Sequence, residues 1–115
     1  MKEKENVILD LTFEFAIEII NYCEELELHR KYVISKQLLR SGTSIGANVR
    51  EAQSPESKAD FIHKMKIAAK EANETEYWLS LCKKATSYPN CDHLFPALIS
   101  IQKILSKIIS NSKAN

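Results

Sequence analysis

The chain reads as an all-α protein, an up-and-down antiparallel four-helix bundle, and three observations predict it. Apolar residues recur at alternating steps of three and four along four long segments. Only two glycines and three prolines interrupt 115 residues, fewer than the many tight turns of an all-β domain require. The segments are joined by short polar stretches, and short connections make consecutive helices antiparallel neighbours. A chain of this length suffices for one core, so a single domain spanning 1–115 is expected, with helices over about 7–28, 31–53, 55–86 and 92–110.

The first helix carries two apolar stripes. Leu9, Phe13, Ala16, Ile20 and Cys23 form one, and Ile8, Leu11, Phe15, Ile19, Tyr22 and Leu26 the other. At ~100° per residue they cover roughly 200° of the surface, against the stripe of ~100° that a helix needs to face one core. Asp10, Glu14, Glu18, Asn21 and Glu25 fill the rest. A helix this broad meets neighbours on more than one side, so the bundle is expected to assemble as a homo-oligomer.

The second helix follows Ile34, Leu38, Ser41, Ile45, Val49 and Ala52, with Gly42 and Gly46 on one flank. Each glycine costs about 1 kcal/mol of helix propensity against alanine, which close approach to another helix would offset; a break near residues 41–44 is the alternative. Ser54-Pro55 predicts the next helix start, serine as cap and proline at the first position. The seam then runs Phe61, Met65, Ala68, Ala72, Thr75, Leu79 and Cys82 until Pro89 stops it, and resumes in the last helix as Leu94, Leu98, Ile101, Leu105 and Ile108. The tail from Asn111 is expected to fray.

Composition narrows the function classes. With 44% hydrophobic and 27% charged residues the chain is not disordered. No apolar run approaches the ~18–20 residues of a membrane span, and the opening Met-Lys-Glu-Lys-Glu-Asn is too charged for a signal peptide, so a cytoplasmic protein without membrane association is expected. Cys23, Cys82 and Cys91 are widely spaced and show no C-x-x-C pattern, and the histidines are scattered. Cys23 and Cys82 therefore read as core residues, and no metal, cofactor or small-molecule substrate is inferred. Net charge is +1, yet residues 1–30 hold eight acids against three bases, and residues 31–115 hold thirteen bases against seven acids.

An enzyme is not expected. Asp60 and His63 stand one helical turn apart, but a di-metal bundle needs a second such pair and further inward glutamates. Residues 41–46 carry two glycines without the Gly-Lys-Ser/Thr of a phosphate loop. What remains are candidates for binding. Ile17, Ile67, Trp78 and Ile99 fall outside the seams and mark subunit or protein contacts. Ser41, Asn48 and Glu76 lie on or beside seams and suggest a polar network that fixes helix register. Lys36, Arg40 and Arg50 on the second helix, with His63, Lys66, Lys70 and Tyr77 on the third, form two basic stripes able to meet phosphates, tyrosine stacking on a base. The competing expectation is a protein–protein adaptor with no nucleic-acid role.

The segment Arg40-Ser-Gly-Thr-Ser-Ile-Gly-Ala-Asn-Val-Arg-Glu-Ala-Gln-Ser54, followed by Phe61 and by Glu74-Thr-Glu-Tyr-Trp-Leu79, resembles the bacterial four helix bundle protein family encoded by intervening sequences of large-subunit ribosomal RNA genes. Residues 44–51 are its most specific part, and Ala52 stands where that family usually has glycine. The resemblance implies a homopentameric ring and kinship with the accessory variability protein of diversity-generating retroelements, which works alongside a reverse transcriptase and nucleic acid. It implies no catalytic residues.

Overall fold

A computed structural model describes residues 3–114, with side chains described over 7–113. It contains α1 (Glu3–Leu28), α2 (Tyr32–Glu51), α3 (Lys58–Lys84), a 3₁₀ turn (Asp92–Leu94) and α4 (Phe95–Ala114). Each helix packs on the one before it, and α4 returns to α1 to close the bundle, 47 Å long and about 20 Å across. The pairings run antiparallel. Along α1 and α2, Cys23 meets Ser35, Ile19 meets Gly42 and Thr12 meets Gly46. Along α2 and α3, Ser41 meets Thr75 and Glu51 meets Lys64.

Local chemistry sets the helix ends. Arg30 adopts φ 62°, the left-handed conformation, while Lys31 N–H donates to Leu26 O and Arg30 N–H to Glu27 O. This is the Schellman stop, here with arginine where glycine is usual. The expected start of α3 at Pro55 moves to Lys58. Ser57 is extended and its Oγ accepts from Asp60 N–H at 3.0 Å, while the Asp60 carboxylate accepts from Glu56 N–H at 3.1 Å. That reciprocal pair caps the helix and leaves Pro55 in the loop. α2 runs unbroken through both glycines but ends at Glu51, two residues before its expected limit. The tail does not leave the helix at Asn111: α4 continues to Ala114, and Asn115 lies outside the described residues, as do Met1 and Lys2 of the charged opening.

Three of the four seams are buried as the periodicity places them, from Leu38 to Ala52, Met65 to Cys82 and Leu94 to Ile108, with Ile34 and Phe61 half-buried at two ends. The first helix differs. Its buried line is Ile8, Thr12, Phe15, Ile19, Tyr22, Cys23 and Leu26, whereas Phe13 is 53% and Ile20 41% exposed. The glycines of α2 explain the choice. A Cβ at Gly42 would lie 2.8 Å from Ile19 Cγ2, and one at Gly46 3.2 Å from the Thr12 carbonyl oxygen. α1 therefore lays its Thr12–Ile19 line against bare backbone and turns Phe13 and Ile20 of its other stripe outward. Thr12 tolerates burial because its hydroxyl donates to Ile8 O at 2.8 Å.

The loop before α4 is tied to α1 and to the turn between α1 and α2. Tyr22 OH donates to Pro89 O at 2.8 Å, Lys31 Nζ donates to Ser87 Oγ at 2.9 Å, and the same ammonium lies 4.9 Å from the Tyr88 ring centre. Asn90 Oδ1 accepts from Asp92 N–H and starts the 3₁₀ turn.

Candidate functional site

The polar residues near the seams do not form one network. Ser41 is buried and accepts from Thr75 Oγ1 at 3.0 Å, joining α2 to α3. Asn48 donates to Ser44 O within its own helix. Glu76 is exposed, on the α4 side of α3, where it accepts from Gln102 Nε2 at 2.9 Å. It stands one residue past buried Thr75, and one residue is ~100° of rotation. Thr75, read only as a seam residue, supplies the partner that Ser41 needs.

The basic stripes fare differently. Arg40 does not face outward unpaired: its guanidinium bridges Glu71 and Glu74. Hydrogen bonding to Glu74, chiefly, holds the Arg40 pKa above its ordinary value. A planar fork facing two carboxylates is a strong pairing, and it was hidden because the acids lie on the next helix. Lys36 and Arg50 are exposed on α2. His63, Lys66, Lys70 and Tyr77 are all exposed along one side of α3.

Among the expected contact residues, Ile17 is 40% and Ile99 46% exposed. Ile67 is half-buried. Trp78 turns back on its own protomer: it is half-buried against the core, donates from Nε1 to Glu74 at 2.9 Å and meets the Tyr77 ring edge-on at 5.2 Å. The apolar surface lies elsewhere. Phe13, Ile17 and Ile20 line the outside of α1, and a groove of about 280 Å³ runs between α1 and α2, walled by Leu9, Phe13 and Ala16 against Thr43, Gly46, Ala47 and Arg50. The double stripe on α1 was the available signal; which half would be outside was not, because the glycine crossing decides it.

On the opposite side of the bundle, α3 and α4 leave an open cleft in which Asn73, Gln102, Ser106, Ser110 and Lys113 stand beside Ala69 and Ile109. Beside it the Lys113 ammonium lowers the pKa of Lys66. At the end of the bundle Cys23, Cys82 and Cys91 are free and buried. Burial pushes the Cys23 thiol up to about 11 and also raises Cys82, Cys91 and the neighbouring Tyr22 phenol. The fold thus favours the protonated thiol. As pH climbs from about 9, where an exposed thiol ionises, toward about 11, the unfolded chain releases protons that the folded chain retains, and stability falls. The urea midpoint should be flat from pH 7 to 8 and fall above pH ~9; an unchanged midpoint at pH ~10.5 would count against the buried thiol.

Among the described residues no group of three or more His, Cys, Asp or Glu is placed to hold a metal, and no helix is long and apolar enough to cross a membrane. No curated protein matches the chain. A crystal structure of a protein from Bacteroides thetaiotaomicron, described as of unknown function and from the S23 ribosomal protein family, is 47% identical, with a TM-score of 0.88 over 93% of this chain and 98% of that one. The sequence profile of the 23S rRNA-intervening sequence proteins matches residues 4–108. With the four-helix architecture and the motif of residues 44–51, that match over nearly the whole chain places the protein in the 23S rRNA-intervening sequence protein family.

Proposed function

We propose that the protein is a non-catalytic, self-associating cytoplasmic scaffold, five copies in a ring as the family resemblance implies, with the outer faces of α1 and α2 between copies and the basic stripe of α3 presented to nucleic acid. The observation that carries this reading is the apolar exterior of α1, where Phe13, Ile17 and Ile20 stand beside a groove running to α2, with Leu39 exposed on that second helix. A contiguous apolar face of this kind is characteristic of an interaction surface. Charge favours a second copy as the occupant. Glu14 and Glu18 flank the exposed apolar residues of α1, while Lys36 and Arg50 are exposed on α2. An acidic α1 meeting the basic α2 of the next copy is a head-to-tail contact, the kind that closes into rings. The nucleic-acid half rests on His63, Lys66, Lys70 and Tyr77, exposed on one side of α3; cations neutralise phosphates and the phenol ring offers a stacking surface.

Light scattering should return about five times the 13.1 kDa of one chain. Phe13→Glu combined with Ile20→Glu should yield a helical monomer. A wild-type protein that stays at 13.1 kDa over a wide concentration range would sink the scaffold.

A further inference from the structure

The open cleft between α3 and α4 has a volume of about 440 Å³. Its two ends differ chemically. At one, Gln102 Nε2 donates to Asn73 Oδ1 at 3.2 Å and to Glu76 Oε1 at 2.9 Å, so both amide protons are engaged and a carboxylate stands over that end. At the other, the antiparallel pairing brings Lys66, two turns before Asn73, beside Lys113, three turns after Gln102. Neither lysine makes an ion pair among the described residues. Two ammonium groups held together repel, and an anion between them relieves the repulsion. Ser106 and Ser110, one turn apart on α4, add hydroxyl donors to the cleft wall, and Ala69 and Ile109 supply apolar surface. A lone inorganic ion would use the lysines and hydroxyls and leave that apolar surface uncovered.

We infer that this cleft binds the phosphate group of a nucleotide, with Lys66 and Lys113 gripping the phosphate oxygens, Ser106 and Ser110 donating to them, and Ala69 and Ile109 meeting the sugar or base. The inference deepens the nucleic-acid half of the scaffold reading and rests on it for the choice of ligand. A phosphate of this kind has two sources, a free mononucleotide or a unit of a single strand, and both are probed.

The experiment titrates the full-length chain at low salt with adenosine monophosphate, followed by backbone amide shifts, and with a fluorescein-labelled single-stranded RNA, followed by anisotropy. Shifts should centre on Lys66, Ser106, Ser110 and Lys113. Lys66→Ala and Lys113→Ala should each weaken binding about tenfold or more, the worth of one charge-assisted contact. Lys84→Ala, at the far end of α3, should change it less than about twofold, and circular dichroism should show all three variants equally helical. Mononucleotide binding that the two lysine variants weaken, without any RNA binding, upholds the cleft and removes the nucleic-acid reading. RNA binding that neither lysine variant weakens, with no mononucleotide binding, overturns the cleft and keeps that reading. Absence of binding by either probe overturns the inference outright.

Discussion

Phe15→Ala lowers the stability of the fold by about 3–5 kcal/mol, the cost of removing a phenyl ring from a packed interior, whereas Phe13→Ala, two residues away, costs less than about 1 kcal/mol. Both phenylalanines belong to apolar stripes of α1, but Phe15 is 1% exposed and Phe13 is 53% exposed. A ring already half in water loses little transfer free energy on truncation, and it leaves no enclosed void. Total stabilities of small domains are about 5–15 kcal/mol, so the first variant sits near the edge of folding while the second should fold as wild type. Urea unfolding at a concentration low enough to separate protomers reads the difference as a shift of midpoint at constant slope. Equal losses in the two variants would mean that α1 is rotated from the orientation described.

Gly42→Val should cost about 3 kcal/mol, the upper part of the range for overpacking. A Cβ at position 42 would already stand 2.8 Å from Ile19 Cγ2 and 2.9 Å from Ile19 Cγ1. Ile19 is fully buried, and a β-branched side chain in a helix is confined to one χ1 rotamer, so it cannot swing clear. The helices must separate instead, and with them the pairing of Cys23 with Ser35 further along the same seam, where Ser35 Oγ donates to Cys23 O at 3.2 Å. The clash is pairwise, so an Ile19→Ala background should reduce the cost of Gly42→Val to below about 1 kcal/mol, a coupling within the 0.5–3 kcal/mol seen for residues in contact. If the cost is the same in both backgrounds, the loss does not come from the contact with Ile19, and helix propensity cannot supply it, because valine is no worse than glycine in a helix. Gly46 sits at the same interface one turn on, where an added Cβ would lie 3.2 Å from the Thr12 carbonyl oxygen.

These two variants mark how far the sequence could be read. Three seams follow from the three-four rhythm because a single stripe has one way to face a core; Leu94, Leu98, Ile101, Leu105 and Ile108 are all buried. The first helix has two stripes, and periodicity ranks them equally. What breaks the tie is a contact with another segment, Gly42 and Gly46 admitting Ile19 and Thr12, and no pattern inside residues 3–28 encodes it. The same limit explains Arg40, whose two acidic partners are 31 and 34 residues further along, and Trp78, which was placed outside by angle yet folds back to reach Glu74. The start of α3 departs from the sequence expectation for a different reason. Ser54-Pro55 has the residue types of a helix start, but at Ser57-Lys-Ala-Asp60 the carboxylate and hydroxyl satisfy two backbone amides together.

The groove between α1 and α2 and the cleft between α3 and α4 occupy opposite sides of the bundle, which has a consequence for strength of attachment. If copies join through the first side, as proposed above, each turns the other outward, and every added copy would add one more identical grip on a long ligand. After the first grip closes, the next operates at the effective concentration set by the spacing of copies, which for short spans is in the millimolar range. Individually feeble clefts could then hold a polymer by avidity while releasing a single nucleotide readily, and dismantling the assembly would abolish retention without touching any residue that contacts the ligand.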